Sequence, residues 1–233
     1  MLSMKQKGRF KLLFILVLSG SVWAGDWPEP PVPEGARLEM VAENMLVNGV
    51  PMRTWTLSAA QAARETLDFY RELWETEATG ERPGFTEQEM GKWRLLTRLQ
   101  GDYLITVQVD TEQPLSTRGL VGVSKLPAMQ SLPKLGKNFP TPGQTQIIND
   151  IHATDLNKKS RTLVATSNRS MRSVIRFYRT TFEKDGWQEQ TGRTPYSGQD
   201  DFALIFDKGQ RQLSMIFARQ AGKTALVAVY VEQ

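Results

Sequence analysis

Cysteine is absent from the 233 residues. That excludes disulfide staples, thiolate metal ligands and cysteine nucleophiles, so any fold must hold by packing and hydrogen bonding alone. Histidine is almost absent: His152 is the one imidazole, so no multi-histidine metal centre can form. A serine triad would need His152 as its base, and no G-x-S-x-G accompanies it. No glycine-rich phosphate loop occurs; the glycines are scattered at turn positions. Neither a cofactor nor a metal is expected, and His152 reads as a structural or surface residue.

Long apolar runs are also missing. The one candidate, Leu12 to Leu18, has seven residues and rises only about 10 Å as a helix, against a bilayer core of roughly 30 Å. It follows a basic head (Lys5, Lys7, Arg9, Lys11) and precedes Val22-Trp23-Ala24. Basic head, short apolar core and small-residue exit predict a signal peptide over residues 1–24. No further span is expected, so the chain reads as periplasmic or secreted.

Charge changes meaning once that segment is set aside. The whole chain is formally +4, but removing residues 1–24 leaves 25 basic and 25 acidic residues. The surplus belongs to the targeting segment, and nucleic acid is not an expected partner.

Proline marks the organisation. Pro28, Pro30, Pro31 and Pro33 make residues 25–34 a stiff lead-in, and residues 126–142, with Pro127, Pro133, Pro140 and Pro142, read as a linker. The flanking segments, 35–125 and 143–233, match under one constant offset that sets Gly35 on Gly143. Under it Arg53-Thr54 lands on Arg161-Thr162, Arg64 on Arg172, and Phe69-Tyr70-Arg71 on Phe177-Tyr178-Arg179. Six of the 23 positions from Met52 to Trp74 are identical, where average residue usage gives roughly one or two. Ile105, Val107 and Val109 fall on Leu213, Met215 and Phe217. A two-residue adjustment sets Leu120 to Val123 on Leu226 to Val229. Internal duplication is the expectation.

Each copy reads alike. Asn48-Gly49 predicts a two-residue hairpin between Met40–Val47 and Val50–Leu57. Ser58, with Gln61 three residues on, is the expected helix cap. Ala63, Leu67, Tyr70 and Trp74 then recur at helical spacing, as do Met171, Ile175, Tyr178 and Phe182, with Gly186 as a stop. Three strands follow in each copy: Trp93–Leu99, Tyr103–Val109 and Gly119–Ser124, then Phe202–Asp207, Gln212–Ala218 and Ala225–Val231. The expected fold class is α+β: two tandem copies of a two-layer module, each one helix packed on an antiparallel sheet, in the order β-β-α-β-β-β.

The copies differ in charge. Residues 25–125 hold 10 basic and 16 acidic residues; residues 126–233 hold 15 and 9. In the basic copy, Arg169, Arg172, Arg176 and Arg179 recur at spacings of 3, 4 and 3, on one helix face. Like charges so placed repel, so the row gives the helix nothing. It suits a carboxylate or phosphate partner. The expected partner is an acidic protein surface, namely the chain's own first module, another copy or an envelope protein, or else an anionic envelope lipid.

Other chemistry is weaker. The acid pairs Glu75 with Glu77, Glu87 with Glu89, and Asp200 with Asp201 are sequence neighbours, whereas a two-carboxylate hydrolase sets its acids across a cleft. Trp55, Trp74, Trp93 and Trp187 read as core, and Trp27 in the lead-in as exposed. The leading expectation is a non-enzymatic exported adaptor of the cell envelope, accessory to a secretion or pilus assembly. The alternatives are an extracytoplasmic carboxylate-dependent hydrolase or glycan-acting enzyme, and a small-ligand binder with a cavity of roughly 300 Å³ or more under a helix.

Overall fold

The structure is a computed structural model describing residues 27–76, 84–127, 133–155, 158–191 and 201–232. The expected signal peptide lies outside those residues, as do Glu77 and Asp200 of the acid pairs.

The first half contains β1 (Ala36–Val47), β2 (Val50–Ala59), helix α1 (Ala63–Thr76), β3 (Thr86–Met90), β4 (Trp93–Gln100), β5 (Tyr103–Asp110) and β6 (Thr117–Lys125). The second contains β7 (Thr145–Asp155), β8 (Lys158–Ser167), helix α2 (Met171–Lys184), β9 (Gln188–Glu189), β10 (Asp201–Lys208), β11 (Arg211–Gln220) and β12 (Lys223–Glu232). All strands join one antiparallel sheet of 12, in the order β3-β4-β5-β6-β2-β1-β7-β8-β12-β11-β10-β9.

This corrects the expected fold. Two separate helix-on-sheet modules are not formed; the sheet is continuous, and each half adds an unforeseen edge strand, β3 or β9. The reason is edge chemistry. Alone, each half would leave β1 or β7 with a row of unpaired N–H and C=O groups. The two edges instead pair with each other: Asn44 faces Thr154, Met45 faces Ala153, Leu46 faces His152 and Val47 faces Ile151. The facing pair Met45 and Ala153 is separated by the same interval as Arg53 and Arg161, so the offset of the sequence match recurs at the junction itself. The strand order accordingly reads the same from either end of the sheet.

Local chemistry explains the elements. Asn48 and Gly49 both take positive φ, 53° and 82°, as a two-residue hairpin demands. The Asn48 side chain also reaches across the junction: its Nδ2 donates to Asn149 Oδ1 (3.0 Å), and its Oδ1 accepts from the Asp150 N–H (2.8 Å). Helix α2 starts at Ser170, whose hydroxyl accepts from the Ser173 N–H, and stops where Gly186 takes φ 79° and donates to Glu183 O. The expected cap at Ser58 is wrong, because β2 continues through it to Ala59. The cap position of α1 is Ala62, whose carbonyl accepts from the Thr66 N–H as Ser170 O accepts from Val174.

One further expectation shifts. In the ladder, Trp55 faces Val121 and its counterpart Leu163 faces Ala228, so Val121 corresponds to Ala228 rather than to Val227. The two-residue adjustment would have set buried Val121 on the exposed Val227, because one residue of slip exchanges the faces of a strand.

Each half keeps its own core. Leu57, Leu67, Tyr70, Trp74, Leu96, Ile105, Val107, Val121 and Val123 cluster in the first. Leu163, Val174, Tyr178, Phe182, Leu204, Phe206, Leu213, Met215 and Phe217 cluster in the second. The described parts of the proline-rich segments lie against these cores. Tyr70 Oη donates to Pro31 O (2.8 Å), and the Phe139 ring sits 5.8 Å from that of Tyr178. Trp27, expected to be exposed, is instead half-buried against the first core, its ring 5.2 Å from Tyr103. Among the described residues, no helix is long and apolar enough to cross a membrane.

Candidate functional site

Helix α2 lies over the second half with Val174, Tyr178 and Phe182 turned into the core. The 3.6-residue period sends Arg172, Arg176 and Arg179 along its flank. They meet Phe202 at the start of β10 and Arg219 near the end of β11 around a hollow of about 600 Å³, with Met171 and Ile175 as its apolar side. Three of the four arginines expected from sequence are therefore brought together. Arg169 is not among them: it precedes the helix, and its carbonyl accepts from Thr224 Oγ1 (2.9 Å). Arg219 was missed, because it comes from a strand distant in sequence.

The arginines are not equivalent. Arg179 is bound bidentately to Glu189 at 2.8 and 2.7 Å, and its guanidinium lies 5.3 Å from the Phe202 ring centroid. The hydrogen bonds to Glu189 hold its pKa above the ordinary guanidinium value, and Glu183 adds to the effect. Arg172, Arg176 and Arg219 are exposed, and no acid pairs with them among the described residues.

The first half has the same hollow with its charges matched. It measures about 380 Å³ and is lined by Arg64, Leu67, Arg71, Arg94 and Thr111. The constant offset places these on Arg172, Ile175, Arg179, Phe202 and Arg219 respectively. Here Asp68 stands where the second half has Arg176, and binds Arg71 at 2.6 Å and Arg64 at 3.6 Å. Glu87 binds Arg71 at 2.6 Å and Arg94 at 3.4 Å, and Glu89 takes Arg94 at 2.6 Å. The Arg71 hydrogen bond in turn holds the Glu87 carboxyl below the ordinary carboxylate range. Both halves thus keep one bidentate Arg–Glu pair from helix to edge strand. Only the first half also neutralises the rest.

Among the described residues, the acids of these pairs do not assemble a cleft. Glu87 and Glu89 are committed to arginines on the exposed edge strand β3, and Glu75 and Asp201 are exposed. Neither Glu87 nor Glu89 lines the hollow that their arginine partners border. Among the described residues, no group of three or more acid or histidine side chains is placed to hold a metal ion.

His152 belongs to a structural network at the junction of the halves. Its Nε2 lies 3.0 Å from Asp150 Oδ1. The buried Asp150 carboxylate also accepts two hydrogen bonds from Arg161 (2.8 Å each) and one from the Gly136 N–H (2.8 Å). Burial alone would raise the Asp150 pKa; Arg161 and the Gly136 N–H overcome it and hold the carboxyl below its ordinary value. Comparison of the chain with family models, curated proteins and solved structures finds no match.

Proposed function

We propose that this chain is a non-enzymatic adaptor exported to the cell envelope, accessory to a secretion or pilus assembly, and that its second half docks an acidic protein surface. The contrast between two matching helix faces carries the proposal. One is neutralised by Asp68 and Glu87; the other presents Arg172, Arg176 and Arg219 without acid partners among the described residues. Clustered guanidiniums repel one another and do not strengthen the fold. Their fork-shaped donors fit carboxylates, and Ile175 and Phe202 beside them offer apolar contact to a bound segment. The first half meets the second along β1 and β7 and leaves Arg172 and Arg176 exposed. The partner is therefore taken to be a separate acidic protein, and the pattern of residues 1–24 supports the export reading.

A glutamate-rich peptide titrated into the full chain at low salt tests this directly. Binding should weaken by at least about tenfold in the Arg172→Glu, Arg176→Glu double variant, and steeply with added salt, since exposed charges are screened within about 10 Å at 0.1 M. The matched first-half variant Arg64→Glu should change nothing. Binding equal in the wild type and the double variant would remove the groove as the docking site.

A further inference from the structure

The halves differ at a second place, on the other flank of the helix. In the first half the Trp27 indole lies between Tyr103, with ring centroids 5.2 Å apart, and the Arg53 guanidinium, 5.0 Å from its centroid. It thereby covers the level of the ladder where Arg53 faces Val123 and Val123 faces Ile105. At the same level of the second half, Arg161 faces Tyr230 and Tyr230 faces Leu213. The offset that sets Arg53 on Arg161 sets Trp27 on Leu135, which lines an adjoining hollow beside Leu46 and Asp150. Two more tryptophans are replaced by smaller side chains: Leu163 stands for Trp55 and Phe182 for Trp74. Trp27, Trp55 and Trp74 pack on the first core, whereas the second half has a cavity of about 400 Å³ at this level, with Trp187 in its wall.

The walls define what fits. Phe139, Phe182, Trp187 and Tyr230 present rings, and Leu163 and Leu213 form the floor. Trp187 is fixed by edge contacts to Phe182 (5.9 Å, 76°) and Tyr230 (6.0 Å, 70°). Arg161 is paired through Nε and Nη2 with the Asp150 carboxylate, which neutralises its charge, so it attracts a further anion weakly and instead offers the plane of its guanidinium. Arg53 makes that use of its plane against Trp27. The rings and leucines form the inner wall, and Asn138, His152, Lys159, Ser160, Asp185 and Glu232 form a polar rim; the volume falls in the range of small-molecule pockets.

We propose that this cavity binds a small planar aromatic molecule of indole size, held over Leu213 and against the Arg161 guanidinium as Trp27 is held against Arg53 in the first half. The inference is independent of the arginine groove, which lies along other residues of α2.

Indole itself is the probe, titrated into the full chain and followed by methyl resonances, with N-acetyltryptophanamide as a parallel arm. Saturable shifts at Leu163, Leu213 and Ala228 are expected. Stronger binding of indole identifies a free small molecule as the occupant; stronger binding of the amide identifies a tryptophan side chain and overturns the small-molecule assignment. Leu163→Trp installs the residue of the first half and should weaken indole binding at least about tenfold. Ala228→Leu, a smaller filling change, should act in the same direction and covers the case in which the tryptophan variant does not fold. Arg172→Glu should leave indole binding unchanged, which separates this proposal from the docking groove. Absence of saturable shifts up to roughly 1 mM, or undiminished affinity in the folded filling variants, would overturn it.

Discussion

At the scale of single residues, what decides most is which buried polar group has a partner. Tyr70 and Tyr178 hold matching positions at full burial, which pushes both phenols to higher pKa. Only Tyr70 donates, to Pro31 O; the Tyr178 hydroxyl has no partner among the described residues. Asp150 is the opposite case, with Arg161, Gly136 and His152 converging on one buried carboxylate. Its pKa is lowered on folding, so its contribution is full above the ordinary carboxylate range near pH 4 and is lost as pH falls through that range toward the folded value. Asp150→Asn should cost about 3 kcal/mol at pH 7, because Arg161 is left half-buried and unpaired. It should also flatten the decline of stability below pH 5. Urea midpoints measured from pH 7 to 3 check both; an acid limb as steep as the wild type's would place the titrating group elsewhere. The matched tyrosines and a structural or surface His152 were legible in the sequence; their partners were not, because Pro31, Gly136, Asp150 and Arg161 meet them only through the fold.

At the scale of elements, the sequence was informative wherever a signal was local. The Asn48-Gly49 turn, the helical stripes and the period-two strands β5 and β11 came from spacing alone, because each depends on neighbours within a few residues. The cap of α1 failed for an instructive reason. Ser58 and Gln61 have capping-box spacing, yet the pairing of Ser58 with Arg118 and of Ala59 with Thr117 carries the strand past the serine. The cap position falls to Ala62, which has no side-chain acceptor, whereas the matching Ser170 caps α2. Ala62→Ser should therefore stabilise the protein by about 0.5–1 kcal/mol, and Ser170→Ala should cost about 1 kcal/mol. Thermal or urea unfolding of the two variants measures both, and equal effects of like sign would show that these positions do not cap. The arginine groove was half legible for a related reason: helical spacing announced Arg172, Arg176 and Arg179, while Arg219 and Phe202 reach the site only through the sheet.

At the scale of the whole molecule, one sheet carries two cores. Pairing of β1 with β7 leaves no local trace in sequence, since edge strands of different fates share the same alternation. The matching strand order from either end and the Met45–Ala153 pair at the centre give the chain the form of a symmetric dimer joined into one polypeptide. In such an arrangement the two surfaces are free to diverge while the frame is kept. Asp68 of the first groove gives way to Arg176 in the second, and Trp27, Trp55 and Trp74 of the first core give way to Leu135, Leu163 and Phe182. The coupling between the cores then runs through a junction of four facing pairs, the Asn48 side chain and the Asn48 N–H, which donates to Asp150 O (3.0 Å). Phe206 is fully buried in the second core, and Phe206→Ala should cost about 3–5 kcal/mol there. Amide exchange should show that loss in β8 and β10 to β12, with protection of β4 to β6 kept and β1 and β7 intermediate. Equal loss across all twelve strands would mean that the junction makes one cooperative unit of the sheet, and that the second half's surfaces cannot change without cost to the first.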